Sequence, residues 1–281
     1  MKAARTVPVL MYHHVSPSDG MITTSPTNFE SQMAWLAKNG YGSLTTAEFA
    51  GHLNGNPVPE KSVLITFDDG YLDNWVYAHP VLSKYGFSAV MFVVSSWIQN
   101  GPIRPYAGQG AVPATPSHND CKKYIADGRA DEVIVRWSEI HAMRTAGTFE
   151  VHSHTHTHTR WDQQASSVAE KRERIAEEFS LARATLTANL GTVSDHLCWP
   201  QGYFDDDYVE LAKQAGFRYL YTTDAYGQNI PGANPEHIYR FAVRNRAGAT
   251  LGRRTSIAAS DTWGPLYNKW KSWKRAGRNK A

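Results

Sequence analysis

Four histidines alternate with other residues at His152, His154, His156 and His158, downstream of an apolar segment that ends in Asp68-Asp69-Gly70. Neutral imidazoles and a carboxylate form the ligand set that Zn²⁺ and similar divalent ions prefer. A second carboxylate beside the first is suited to take the proton of a metal-activated water. The residue types therefore predict a metal-dependent hydrolase.

The alternation leaves the choice of ligands open. His152 and His156 have the same spacing as His154 and His158, and on an extended segment all four side chains point the same way. Two plainer interpretations also stand: a solvated polyhistidine loop that binds metals adventitiously, and an Asp-Gly pair that only marks a turn after a strand.

The chain alternates short apolar segments with amphipathic ones, which predicts βα units. Several predicted helices end at a glycine, where a left-handed cap is expected. Strands are predicted at Val7–Met11, Val63–Phe67, Ala89–Val94, Thr148–Val151, His196–Trp199, Tyr219–Thr222 and Ile238–Val243. Helices are predicted at Phe29–Asn39, Asn74–Tyr85, Trp137–Ala146, Val168–Leu190 and Asp206–Ala215.

Polar residues follow most of these strands, including Tyr12-His13-His14, Asp68-Asp69, the histidines and Pro200-Gln201-Gly202. Parallel barrels build their sites from such loops on one face. We therefore expect an α/β fold in which one face carries the chemistry.

Composition sets limits on function. The chain has 281 residues, 42% apolar and 20% charged, and only two cysteines, so neither a disulfide framework nor a disordered chain is expected. Residues 252–281 hold eight Lys or Arg against the single Asp261, leaving 21 basic and 25 acidic residues elsewhere. Because no basic face extends over the body of the protein, we expect no nucleic-acid partner.

These motifs resemble those of the polysaccharide deacetylases with a NodB homology domain, carbohydrate esterase family 4. Thr66-Phe67-Asp68-Asp69-Gly70 is similar to the family's first motif, and residues 150–158 are similar to its second. The resemblance covers about Val9 to Asn245 and implies a distorted (β/α)7 barrel that removes N-acetyl groups from amino sugars. Met11-Tyr12-His13-His14-Val15 and Trp199-Pro200-Gln201-Gly202 look most like the branch that acts on poly-N-acetylglucosamine.

The resemblance makes Asp68 the general base and Asp69, His154 and His158 the metal ligands, with Zn²⁺ as the expected ion and Co²⁺, Ni²⁺ or Fe²⁺ as alternatives. It favours His154 and His158 over the other pair. The backbone N–H of Gln201 is expected to stabilise the oxyanion, a role worth roughly 2.7–4 kcal/mol in comparable sites.

The chain also departs from the family. Cys198 lies where many members have an arginine that orients the catalytic aspartate, and the usual fourth and fifth motifs are missing. His13 is our candidate for the general acid, with His14 second, although either histidine could simply pack in the loop. Arg240 could orient Asp68, bind substrate anions or form a structural ion pair.

Further residues are expected at the substrate. We expect Tyr71, Trp199 and Arg240 to contact the sugar, although Tyr71, Asp73 and Asn74 could instead cap the helix that follows them. The segment from Ser95 to Arg136 is longer than usual βα connections and carries Trp97 and Lys122, so it could fold over the substrate or be simple surface decoration. Within it, residues 101–116 are expected to be a loop.

We divide the chain into a catalytic domain, residues 1–250, and a basic, aromatic tail, residues 251–281. In the tail Trp263, Leu266, Tyr267, Trp270 and Trp273 recur at helical spacing among lysines. Tryptophan and lysine suit a bilayer interface, so residues 263–280 are expected either to contact a membrane or to pack against the barrel.

The N-terminus carries no apolar segment of signal-peptide length, which favours the cytoplasm, at the inner face of the membrane, unless a signal peptide has been removed. An N-acetylated glycan, lipid-linked, of lipopolysaccharide type or poly-N-acetylglucosamine, is the expected partner. Two alternatives are a glycan-binding module that has lost activity and a hydrolase of another sugar amide, such as a formamido group.

Overall fold

A computed structural model describes residues 2–192 and 195–278. Its strands are β1 (Val9–Tyr12), β2 (His14–Val15), β3 (Thr23–Thr24), β4 (Gly42–Ser43), β5 (Ser62–Asp69), β6 (Ala89–Val93), β7 (Phe149–Ser153), β8 (His196–Cys198), β9 (Tyr219–Tyr221) and β10 (Phe241–Ala242). Its α-helices are α1 (Pro26–Lys38), α2 (Thr46–Leu53), α3 (His79–Tyr85), α4 (His118–Ala126), α5 (Trp137–Thr145), α6 (Trp161–Gln164), α7 (Val168–Leu190), α8 (Asp206–Gln214), α9 (Gly248–Ala259) and α10 (Trp263–Arg278). A π-helical turn, Asn74–Ala78, and two 3₁₀ turns, Ala130–Glu132 and Pro200–Gly202, complete them.

The main sheet is parallel and curls on itself. Its strands follow the order β10-β1-β5-β6-β7-β8-β9, and β4 pairs with the start of β5. A bridge between Ile238, just before β10, and Tyr221 of β9 links the two ends of the sheet. This arrangement, with helices around the sheet, confirms the predicted distorted (β/α)7 barrel.

Strand β5 lies between β1 and β6 and is buried along its whole length. Its sequence, Ser-Val-Leu-Ile-Thr-Phe-Asp-Asp, is a continuous apolar segment of the kind found in parallel strands covered on both faces. It ends in two carboxylates where the apolar segment stops. Because all strands of the main sheet are parallel, the polar ends of β1, β5, β7 and β8 meet at one edge, as predicted.

Some boundaries differ from the prediction in ways that affect the site. Strand β7 continues through His152 to Ser153 because it pairs with β6 along that length. The predicted helix Asn74–Tyr85 starts as a π-helical turn, a feature common near functional sites. The segment between Ser95 and Arg136 contains α4, whereas residues 101–116 hold no helix or strand, as expected.

The predicted domain boundary at residue 250 falls inside helix α9, which packs on α1. A Cβ atom added to Gly252 would lie 2.3 Å from the ring of Trp35, and one added to Gly248 would lie 2.2 Å from the carbonyl oxygen of Ser31. Small residues therefore allow this close approach of the two helices. Residues 251–259 thus continue the helix that packs on α1, and α10 follows as a separate helix.

Candidate metal centre and active-site cleft

Asp69, His154 and His158 come together at the carboxyl ends of β5 and β7. The Nε2 atoms of His154 and His158 lie 3.2 and 3.5 Å from Asp69 Oδ1, and the two imidazole rings are 4.9 Å apart. Asp69 is far from the two histidines along the chain. The strands β5 and β7 both pair with β6, which brings their carboxyl ends close together. The sheet thus assembles the predicted ligand set.

The chemistry of these three donors fits a divalent cation. His154 Nδ1 lies 2.8 Å from the carbonyl oxygen of Cys198, to which it can only donate. Burial alone would lower the pKa of His154, but its contacts with Cys198 and Asp69 raise it above its usual value, so a cation bound at Nε2 would replace a proton there. Burial lowers the pKa of His158 to about 4, which keeps this ring neutral at pH 7. Asp69 Oδ1 is buried without a hydrogen-bond partner among the described residues. Two imidazoles and a carboxylate oxygen around one buried point are the donors that a divalent cation would bind, once it displaces the proton of His154.

The other histidine pair lies elsewhere. His152 Nε2 lies 3.3 Å from Thr46 Oγ1 and 3.5 Å from a carboxylate oxygen of Glu150, and His156 Nδ1 lies 2.8 Å from Ser95 Oγ. The expectation that all four histidines point the same way holds only for an extended chain, and β7 ends at Ser153. The turn that follows separates the two pairs and leaves His154 and His158 beside Asp69.

Residues with unusual backbone conformations cluster at this site. Among the described residues, the non-glycine residues with positive φ are Asp69 at 77°, Thr155 at 67°, His158 at 64° and Gln201 at 55°. Such conformations cost free energy for residues with a Cβ and persist only where surrounding structure holds them. All four belong to, or adjoin, the predicted metal ligands or the predicted oxyanion donor.

Glu178 of helix α7 holds the turn that carries His158. This buried carboxylate accepts hydrogen bonds from the backbone N–H groups of His156 and Thr157, each at 2.9 Å, and from the hydroxyl of Thr157. The sequence predicted the helix Val168–Leu190 but did not identify Glu178, because its partners lie in another element.

Replacing Glu178 with glutamine is expected to lower the affinity for Zn²⁺ by about 10- to 100-fold, the range seen when groups that support metal ligands are lost. The amide oxygen accepts more weakly than a carboxylate from the two backbone N–H groups, and the NH₂ group replaces the oxygen that accepts from the Thr157 hydroxyl, so the turn holds His158 less firmly. Competition with a chromophoric chelator measures the affinity. Glu177→Gln is the matched control, since Glu177 lies on the same helix and pairs with Arg174 at an exposed position. Equal affinities of the two variants would contradict this role.

Asp68 is held by Arg240 rather than by the predicted metal ligands. The guanidinium donates to both carboxylate oxygens at 2.7 and 2.9 Å, and both side chains are buried. Burial alone would raise the pKa of Asp68, but Arg240 holds it below its usual range, so Asp68 is ionised at neutral pH. Of the roles considered for Arg240, this geometry favours orienting the carboxylate over contact with the sugar.

A second group of potential ligands, Asp68, His154 and Cys198, is less suited to a cation. Burial raises the pKa of the Cys198 thiol, which therefore stays protonated, and Arg240 Nη2 lies 2.9 Å from its sulfur. The oxygens of Asp68 already accept the guanidinium. The charge of Arg240 at this position also opposes a metal ion.

His13 lies at the edge of the same site, with Nε2 3.8 Å from Asp68 Oδ2 and about a fifth of its side chain exposed. The expected helix-capping role of Asp73 is wrong, because Asp73 makes no capping hydrogen bond. It binds the preceding loop instead: its carboxylate lies 2.6 Å from His14 Nδ1, and Asn74 donates to the carbonyl oxygen of His13. These contacts fix the loop that carries His13 and leave His14 buried.

A cleft of about 590 Å³ opens above the site. Tyr71 and Trp199, the expected sugar contacts, line it, and the buried indole N–H of Trp199 has no hydrogen-bond partner among the described residues. Gln201 and Gly202 form part of its wall. A Cβ atom at Gly202 would lie 2.2 Å from Thr223 Oγ1, so this turn beside the expected oxyanion donor requires glycine.

The long segment before α5 does reach the cleft, through Trp97 and Lys122. It also contributes His118, which sequence reasoning missed. His118 Nδ1 lies 3.1 Å from His14 Nε2 and 3.2 Å from the hydroxyl of Tyr71. The signal was present as Ser117 and Asp120, since a serine followed three residues later by an acidic residue is typical of a helix start.

Comparison with known proteins was made by sequence and by structure. A family model described as polysaccharide deacetylase matches residues 55–220. Poly-beta-1,6-N-acetyl-D-glucosamine N-deacetylase of Staphylococcus aureus (strain MSSA476) is 26% identical over 236 residues, which are 83% of this chain and 71% of that protein. The Bacillus subtilis (strain 168) protein YxkH is 46% identical over 93 residues, and the match spans 33% of each protein.

Two solved structures share the fold. IcaB from Ammonifex degensii superposes with a TM-score of 0.69 at 24% identity, covering 94% of this chain and 98% of that one. The deacetylase PplD of Streptococcus pyogenes, in complex with acetate, gives a TM-score of 0.68 at 20% identity, covering 90% and 99%.

Proposed function

Because the chain belongs to the polysaccharide deacetylase family, we propose that it hydrolyses the N-acetyl groups of N-acetylhexosamine residues in a bacterial glycan and depends on a divalent ion, Zn²⁺ by preference. The observation that carries the proposal is the convergence of Asp69, His154 and His158 beside an ionised Asp68 in an open cleft. The name of the Staphylococcus relative favours a glycan of the poly-N-acetylglucosamine type.

The two imidazoles and the carboxylate would hold the ion, and Asp68, turned toward Arg240, would stay unligated beside it. When bound, a divalent ion polarises an amide carbonyl and lowers the pKa of water. Asp68 accepts the proton of the attacking water, since its lowered pKa keeps it ionised. Gln201 lines the cleft, and its backbone N–H would donate to the oxygen that becomes negatively charged.

His13 donates a proton to the leaving amine. Burial lowers the pKa of His13, which makes its protonated ring a stronger acid. Asp68 can pass the proton that it accepts to His13, because Asp68 Oδ2 lies 3.8 Å from His13 Nε2. His13 then donates this proton to the amine. The carbonyl carbon thereby gains the water oxygen, the C–N bond breaks, and acetate and a free amine are formed.

Replacing His13 with glutamine is expected to lower kcat for acetate release by about 10²-fold, the lower part of the range for acid–base catalysis, because water entering the open cleft can protonate the amine in its place. Zn²⁺ affinity should stay close to that of the unmodified protein. The exposed His141 of α5 offers a matched control, His141→Gln. An unchanged kcat in His13→Gln would assign the general acid elsewhere.

The function is tested by measuring acetate released from poly-β-1,6-N-acetylglucosamine oligomers, with and without a chelator. We expect release that chelation abolishes and added Zn²⁺ restores. Binding of the oligomer without acetate release would favour a glycan-binding module, and formate release from a formamido sugar would favour the other amide substrate. Release that continues after complete metal removal would overturn the dependence on a divalent ion.

A further inference from the structure

Helix α10 exposes an apolar stripe instead of packing it on the barrel. Trp263, Leu266, Trp270 and Trp273 are 68%, 60%, 46% and 72% exposed. Their spacing of three and four residues places them on one side of the helix. Exposed large apolar residues are otherwise scattered among the described residues, whereas four fall on this one helix. A contiguous patch of this kind marks an interaction surface.

The opposite side of α10 fixes the helix to the protein. Gly264 and Asn268 are buried, and the amide of Asn268 donates to the carbonyl oxygen of Gly227. The guanidinium of Arg254 lies 4.7 Å from the ring of Tyr267. Since Gly264 lies near Ile257 and Tyr267 near Arg254, α10 runs antiparallel to α9. The stripe is therefore presented outward from a docked helix.

The positive charge around the stripe favours a negatively charged partner. Lys269, Lys271 and Lys274 lie on α10, and no acidic residue follows Asp261 in the sequence. The ammonium groups of Lys271 and Lys274 lie 5.1 and 4.4 Å from the ring of Trp270. Residues 279 and 280 of the predicted basic segment lie outside the described residues. Tryptophan beside lysine on an amphipathic helix suits the interface of an anionic bilayer.

We propose that α10 binds the protein to the surface of an anionic lipid bilayer, with the tryptophan and leucine side chains in the interfacial layer and the lysines at the lipid headgroups. Among the described residues no helix has the length and apolarity needed to cross a bilayer. The surface is separate from the catalytic residues. Binding therefore does not depend on the proposed deacetylation.

Co-sedimentation with vesicles tests this proposal, using phosphatidylcholine alone and phosphatidylcholine mixed with phosphatidylglycerol. We expect the full chain to bind the anionic vesicles, and added salt to weaken binding. Trp270→Ala/Trp273→Ala should reduce the partition coefficient at least tenfold. Lys269→Glu/Lys274→Glu should reduce it further, since each basic residue near an anionic surface contributes about fivefold.

Matched control variants change exposed apolar or basic residues outside α10. Val168 is 65% exposed on α7, and Lys38 and Lys61 are exposed on or beside other elements. Val168→Ala and Lys38→Glu/Lys61→Glu should bind close to the level of the unmodified protein, apart from a small general effect of net charge. Asp68→Asn should bind as well as the unmodified protein, which separates binding from catalysis.

Equal binding to both kinds of vesicle, or no loss in the tryptophan variant, would overturn the proposal. A second copy of the chain is the competing partner for the stripe. If the unmodified protein dimerises, the tryptophan variant is monomeric and neither binds vesicles, the surface is a dimer interface and the proposal is wrong.

Discussion

Replacing Asp68 with asparagine is expected to lower kcat for acetate release by about 10³- to 10⁴-fold, the upper part of the range for acid–base catalysis. The amide has nearly the same shape but cannot accept the proton of the attacking water. Zn²⁺ affinity should change little, because Asp68 turns its oxygens to Arg240 and the predicted ligands are other residues. Initial rates and a chelator competition on the same sample give both quantities.

Asp19→Asn is the control for charge. Asp19 is exposed at the mouth of the same cleft, so this variant removes one negative charge without touching Asp68. Its kcat should remain near that of the unmodified protein. Thermal melts show whether Asp68→Asn remains folded at the assay temperature. A folded Asp68→Asn protein with near-normal turnover would remove Asp68 from the role of general base.

Replacing Arg240 with methionine is expected to destabilise the protein by about 3–5 kcal/mol, the cost of leaving one member of a buried ion pair without its partner. Arg240 and Asp68 are both buried, so water cannot replace the lost charge. The free energy of unfolding, from denaturant titration, measures the loss. In the double variant Asp68→Asn/Arg240→Met no unpaired charge remains, so its loss should be smaller than the sum of the two single losses. If the double variant loses as much free energy of unfolding as the two single variants together, Arg240 and Asp68 do not stabilise each other as an ion pair.

Arg240→Met should also change the pH dependence of turnover. Arg240 lowers the pKa of Asp68, so ionised Asp68 stabilises the fold above its ordinary pKa of about 3.9, and this stabilisation disappears as the pH falls through the lower folded value. Without the guanidinium, burial raises the pKa. The acid limb of the kcat/KM profile should therefore move to higher pH in Arg240→Met and much less in Arg240→Lys, which keeps the charge.

The parallel sheet and the main site residues could be predicted because the signals are local. Apolar segments of strand length end directly in the residues that do chemistry, as β5 ends in Asp68 and Asp69. Strand direction then places these ends on one edge. Spacing alone could not show which histidine pair lies beside Asp69, because the turn after Ser153, with Thr155 and His158 at positive φ, depends on contacts with Glu178.

Long-range contacts account for what the sequence left open or did not predict. Arg240 reaches Asp68 across 172 positions of the chain, and His118 reaches His14 across 104. No periodicity encodes such pairings. The packing of α9 on α1 depends on Gly248 and Gly252, whose role becomes visible only when Trp35 lies against them. The predicted boundary at residue 250 falls inside α9.

The central claim is that Asp69, His154 and His158 hold one divalent ion while Asp68 stays unligated. Anomalous X-ray diffraction from Zn²⁺-loaded crystals tests it most directly. We expect one peak at about 2.0–2.2 Å from an Asp69 oxygen and from Nε2 of both histidines, the usual range for zinc, and no such peak in His154→Ala/His158→Ala. A peak beside Asp68 and Cys198 instead, or no anomalous peak at either candidate group of ligands, would contradict this arrangement.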